Sequence, residues 1–137
     1  MANALYPLFK QALLNKEHDL DTNTIKITLA DGADESYSAT DNTYVAGANG
    51  IADAAKVAVA TLATTTIALG VFDSADGTFT AATGDPSEVL ILWNDTPTTP
   101  TADPLIAWYD TGVTGFPVTP NGGDINFTVH SSGFFTL

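Results

Sequence analysis

The sequence predicts a mainly β, single-domain protein: an antiparallel β-sandwich or barrel of about seven strands with a short N-terminal α-helix. Three observations carry this. Thr and Val, which suit a pleated half-buried surface, are frequent, whereas Glu, Lys and Gln become scarce after residue 20. Short apolar runs alternate with turn chemistry such as Asp76-Gly77, Gly84-Asp85-Pro86 and Asn121-Gly122-Gly123. Finally, 137 residues fit one domain, and 45% hydrophobic content with seven Phe, four Tyr and two Trp supports a core despite a charged fraction of 15%.

The elements follow in order. Leu5, Phe9 and Leu13 recur every four residues with Ala12 and Leu14 beside them, predicting a helix from Ala4 to Asn15 with Asn3 as N-cap and Pro7 in its first turn. So short a helix needs a dock, either the following sheet or a neighbouring subunit. In the β-body, residues 21–137, Ile25, Ile27 and Leu29 alternate with Thr24, Lys26 and Thr28, which reads as an amphipathic strand. Residues 31–50 are polar and read as a long loop anchored by Tyr37, Tyr44 and Val45. Ala55 to Ala63 is read as a strand because Val57 and Val59 repeat at period two, although Asp53 and the alanines would suit a helix. Thr64 to Phe72, Thr78 to Ala82, Glu88 to Trp93, Leu105 to Tyr109 and Ile125 to Val129 complete the strands. Two proline-bearing connections, Thr96 to Pro104 and Gly112 to Pro120, read as stiff hairpin connections that could also serve as contact tips.

Charge is unevenly placed. All four cations, Lys10, Lys16, Lys26 and Lys56, lie in the first 56 residues, no arginine occurs, and the formal net charge is −12. Nucleic-acid binding needs clustered cations to displace counterions from phosphates, so that class is excluded, and an anionic membrane surface is disfavoured for the same reason. The first residues lack the pattern of a secretory signal, and Val57 to Phe72 is too short and threonine-rich to span a bilayer.

Chemistry-bearing motifs are few. Without cysteine there is no disulfide, thiolate nucleophile or thiolate metal site. His18 and His130 lie in unlike contexts and lack metal-site spacing, and no nucleophile elbow or phosphate-binding glycine loop occurs. Asp31-Gly-Ala-Asp34-Glu35 and Asp73-Ser-Ala-Asp76-Gly77 each resemble half of a calcium loop but lack its alternating ligands and terminal Glu, so plain turns explain them better. Trp93, Trp108 and Tyr109 would suit a sugar-stacking platform, yet they end apolar runs where core aromatics are expected. The reading is non-enzymatic, with no cofactor, metal or catalytic residue.

Several segments resemble small structural proteins of tailed bacteriophages. They are Phe9-Lys-Gln-Ala-Leu-Leu followed by Asp19-Leu-Asp-Thr-Asn-Thr-Ile-Lys-Ile-Thr-Leu, then Gly70-Val-Phe-Asp-Ser-Ala-Asp-Gly-Thr-Phe, Leu105-Ile-Ala-Trp-Tyr-Asp-Thr-Gly-Val-Thr-Gly, and Pro117-Val-Thr-Pro-Asn-Gly-Gly-Asp-Ile. Asp41 to Ala60 departs from that pattern, being longer on alanine and lacking an arginine expected there. The resemblance implies a virion component assembled in the host cytoplasm, capsid decoration or cement first, with tail, neck or fibre as alternatives. The implied partners are the major capsid protein or other virion proteins, and further copies of the chain in a homo-oligomer. Candidate interface residues are Leu5, Phe9, Lys10, Leu13 and Lys16 in the cationic N-terminal region and Phe134, Phe135 and Leu137, although the last three would equally complete a sheet. A soluble carbohydrate- or receptor-binding β-module, using Trp93, Trp108 or Tyr109, is the alternative of a different class. Truncating residues 1–16 should abolish shell binding under the first reading, and Trp108→Ala should abolish ligand binding under the second.

Overall fold

Val89–Asn94 is buried at every position, as a central strand covered on both faces must be. The structure, a computed structural model, describes residues 3–97 and 101–137. Among these, ten strands and one α-helix appear. In chain order they are β1 (Ala4–Leu5), α1 (Pro7–Leu14), β2 (Ile25–Ala30), β3 (Lys56–Thr61), β4 (Thr66–Ala68), β5 (Val71–Asp73), β6 (Gly77–Phe79), β7 (Val89–Asn94), β8 (Leu105–Tyr109), β9 (Ile125–Phe127) and β10 (Phe135–Thr136). The protein is thus mainly β with a short N-terminal helix, as its sequence predicts.

The strands form three antiparallel sheets rather than one sandwich of about seven strands. The largest has the order β1-β8-β7-β2-β3, the second β10-β5-β4, and the third pairs β6 with β9. In the large sheet β2 lies between β3 and β7, with Thr28 opposite Ile91 and Val59. On one face of this sheet Tyr44 stacks on Trp93 at 4.1 Å and Tyr37 meets Trp108 edge-on at 6.3 Å. Tyr109 points the other way and donates its hydroxyl to the Phe134 carbonyl at 2.9 Å, tying the large sheet to the segment that leads into β10.

Four expectations need correction. The helix begins at Pro7, not Ala4, because a residue before proline is driven extended: Tyr6 has φ −65° and ψ 135°. Ala4 and Leu5 instead pair with Trp108 and Ala107. Asn3 caps no helix; its Oδ1 accepts the backbone N–H groups of Asp110 and Thr111, and its Nδ2 donates to the Thr111 carbonyl. Thr28 does not face solvent, since Tyr44 and Trp93 roof that side, and Trp93 Nε1 donates to its hydroxyl at 2.9 Å.

The fourth correction concerns residues 64–72. They form two strands, β4 and β5, joined at Leu69 and Gly70, whose φ values of 52° and 82° are both left-handed. With Ala68 opposite Val71, that is a two-residue hairpin turn of type I′. The remaining strands fall close to expectation, although β6 and β9 are shorter, and the loop 31–50 contributes only isolated bridges through Thr43. The Thr96 to Pro104 connection includes residues 98–100, which lie outside the described residues.

Candidate interaction surface

Helix α1 docks by one side chain above all. Phe9 is buried, edge-on to His18 at 5.1 Å and to Phe135 at 5.8 Å. Leu13 and Leu5 are half-buried, Leu5 through β1 and not through the helix. Leu14 turns away and is 87% exposed. Lys10 and Lys16 are exposed. Phe134 and Phe135 are half-buried, with Phe135 opposite Phe72 in the β10–β5 pair, so the segment completes a sheet of its own chain; Leu137 stays 67% exposed. Of the eight candidate residues, Lys10, Lys16 and Leu137 present the most surface to a partner.

The four lysines divide into two classes. Lys26 lies 3.0 Å from Asp95 and over the Trp93 ring, and Lys56 lies 2.6 Å from Asp53 and over the Tyr44 ring. Both charges are already matched at home. Lys10 and Lys16 enter no ion pair among the described residues. Lys16 sits just past the helix end with φ 61°, and its N–H bonds to the Leu13 carbonyl while the next N–H, of Glu17, returns to Ala12. This is a helix-terminating turn at a position where glycine is the usual residue.

Beside Lys16 a groove of about 430 Å³ opens between the end of α1 and the β10-β5-β4 sheet. Its floor is the cross-strand row Phe135, Phe72 and Ile67. Its rim includes Leu13, Lys16, Asp19 and Leu137. Ile67 is 51% exposed, and Leu69, at the adjoining hairpin tip, is wholly exposed. Leu137 donates its N–H to the Gly70 carbonyl, which holds this apolar surface together. Ile67 and Leu69 fall within the sequence-predicted strand Thr64 to Phe72 and so give no surface signal of their own. The signal that would have found them is Gly70, since a glycine within a strand pattern often marks a break.

Behind the groove lies a buried polar junction. Asn94 Oδ1 accepts the Thr96 N–H at 3.0 Å, so its Nδ2 faces the other way and donates to Asn23 Oδ1 at 2.8 Å and to His18 Nδ1 at 2.9 Å. His18 Nδ1 is therefore the acceptor, and its proton resides on Nε2, which is buried without a partner among the described residues. Burial holds the His18 pKa below the usual histidine value, against the smaller opposing pull of Glu17.

The other sequence candidates resolve differently. Trp93 and Trp108 are 5% and 2% exposed, and the Trp108 Nε1 donates to Asp110, so neither ring offers a face to a sugar. Burial raises the Tyr109 pKa, consistent with a hydroxyl committed to Phe134. Asp73 accepts the N–H of the adjacent Ser74, as a turn carboxylate does, whereas Asp76 accepts that of Val129, just beyond β9, and so ties distant segments together. Asp31 and Asp34 do converge, but with the distant Asp85 and not with Glu35: the three carboxylates lie within 4.8 Å of one another, and Glu35 is occupied with the N–H groups of Ser36 and Ala52. Compared with known proteins, the chain matches no family model, and no curated protein is significantly similar to it.

Proposed function

We propose that this protein is a non-enzymatic virion structural protein, a capsid decoration or cement protein that binds the outer shell in many copies and stabilises it. The observation that carries the reading is the segregation of free charge and exposed apolar surface. Lys10 and Lys16, which enter no ion pair among the described residues, sit on and just after α1; Lys16 lines a groove floored in part by Ile67 and rimmed by Leu137, with the exposed Leu69 at the adjoining hairpin tip. Val57 to Leu137 adds eight carboxylates and no cation. The groove face thus attaches while the remaining acidic surface faces outward, where mutual repulsion keeps a many-copy protein soluble before assembly. The partner in this reading is the major capsid protein or another virion protein, with further copies of the chain as neighbours. It has no nucleic-acid or membrane role; among the described residues no helix is long and apolar enough to cross a membrane.

The test is binding of purified protein to empty capsids that lack it, with mass spectrometry of particles for copy number. Hundreds of copies support decoration; a dozen or fewer would move the protein to the neck, tail or fibre, and no association with any virion part would overturn the reading. Truncating residues 1–16 is a poor probe, because it removes Tyr6 and Phe9 from the core. Lys10→Glu with Lys16→Glu leaves the core intact and is expected to weaken capsid binding at least tenfold at low salt, with the loss shrinking as salt rises.

A further inference from the structure

We propose that the groove beside β4 is the contact itself, and that it receives an extended segment of a different protein carrying a bulky apolar side chain and a nearby carboxylate. This rests on the virion reading and specifies the chemistry of its partner. Four observations converge on it.

The first is the open edge. β4 is the outer strand of its sheet, its three residues are exposed, and the run Ala63-Thr-Thr-Thr-Ile-Ala-Leu-Gly70 contains no charge or proline. Sheet edges are normally guarded by such residues because unpaired backbone groups invite another strand. Shortness is the protection β4 does have, but with neither charge nor proline on it the edge is open to strand addition, in which backbone bonds supply affinity and side-chain pockets supply selectivity.

The second is Leu69. A type I′ turn favours Asn, Asp or Gly at this position, yet the chain holds a leucine at φ 52° with its side chain wholly in solvent. The fold gains nothing from that choice, and a partner covering the tip would. The third is Lys16, again a long side chain at a left-handed position, φ 61°, where glycine is easier. It lines the groove with Asp19 but makes no ion pair with it, so its charge is available to an incoming carboxylate.

The fourth distinguishes a foreign segment from a second copy. If β4 paired with β4 of another copy, the added strand would bring only uncharged residues, because the next acid along the chain is Asp73 on β5. Lys16 would stay unmatched, and two chains of net charge −12 would be pressed together. A segment bearing its own carboxylate meets both needs.

The experiment uses the full chain and empty capsids lacking it. Leu69→Asn and Ile67→Ser are each expected to weaken binding at least tenfold, and Lys16→Glu likewise at low salt, while Lys16→Arg retains affinity. Val59→Ser, at a site about as exposed as Ile67 but on β3, is expected to bind as the parent does. A photo-crosslinker at position 69 should join an apolar, carboxylate-bearing stretch of the capsid protein. If the parent binds capsids and the groove variants bind equally well, or Val59→Ser is the one that fails, the groove proposal falls while the virion reading stands. A crosslink chiefly to another copy of the chain also overturns it. If the parent does not bind capsids or any other virion part, the virion reading fails and takes the groove assignment with it.

Discussion

Asn94 shows how one buried amide can commit a neighbouring side chain to a single charge state. Its carbonyl is held by Thr96 and its amino group by Asn23, so only the neutral, Nε2-protonated form of His18 can accept from it. Protonating Nδ1 would set two donors 2.9 Å apart inside the protein. The sign of the pH effect follows. Because the folded pKa of His18 lies below that of the unfolded chain, stability is complete above the unfolded value of about 6.5 and is lost as pH falls toward the lower folded value. The slope in that window should reach at most about 1.4 kcal/mol per pH unit from this residue. Urea unfolding between pH 8 and 5 should show the decline, and His18→Gln should flatten it; an unchanged slope in the variant would remove His18 as the cause. A second buried bond makes a separate prediction. Trp93→Phe deletes the donor to Thr28 and shrinks the ring beneath Tyr44, and should cost about 2 kcal/mol in urea unfolding with an unaltered m-value.

Elements were legible where one local signal dominated. The all-apolar run Val89-Leu-Ile-Leu-Trp is a central strand, and Leu105–Tyr109 has the bounds its sequence suggests, because burial on both faces leaves a continuous apolar run. Legibility failed where two signals overlapped or the partner was remote. Pro7 outweighed the apolar spacing of Leu5 with Phe9 and sent Ala4–Leu5 to β8, a pairing across about a hundred residues that no local pattern reveals. Thr28 looked solvent-facing because its cover, Tyr44 and Trp93, comes from elsewhere in the chain. Of the candidate surface, Lys10 and Lys16 were legible as charge, but the groove was not, since it joins α1 to a hairpin whose sequence reads as one strand. That hairpin carries the clearest element-scale prediction. Leu69→Asn places a residue suited to φ 52° at the tip and takes an exposed leucine out of water, so it should stabilise the fold by about 0.5–1 kcal/mol while weakening the contact proposed above. Gain of stability with loss of binding is the outcome expected of a residue retained for a partner; loss of both would mean that Leu69 serves the fold.

At the scale of the molecule, charge is the organising quantity. A net −12 on 137 residues is self-repulsive, and Asp31, Asp34 and Asp85 concentrate that repulsion by bringing three carboxylates within 4.8 Å of one another. Asp31 is buried and partly compensated by the Ala33 N–H, at 2.7 Å, whereas Asp34 and Asp85 are exposed. Removing one exposed charge should therefore relieve strain without opening the core. Asp85→Asn is expected to raise Tm by about 1–2 °C in low salt, the scale of a solvent-screened charge contact in a domain of this size. Added sodium chloride should raise the Tm of the parent and close the gap to the variant, because screening does for all the carboxylates what the substitution does for one. If Asp85→Asn instead lowers Tm at every salt concentration, the three acids are held together by something stronger than their repulsion. On the function proposed above, the same screening bears on assembly: salt that relieves the acidic surface also weakens the attraction offered by Lys10 and Lys16, so capsid affinity should fall over the range in which the free protein becomes more stable. Measuring both quantities along one salt series tests the proposed division of surfaces, since a single uniformly acidic binding surface would make affinity and stability rise together.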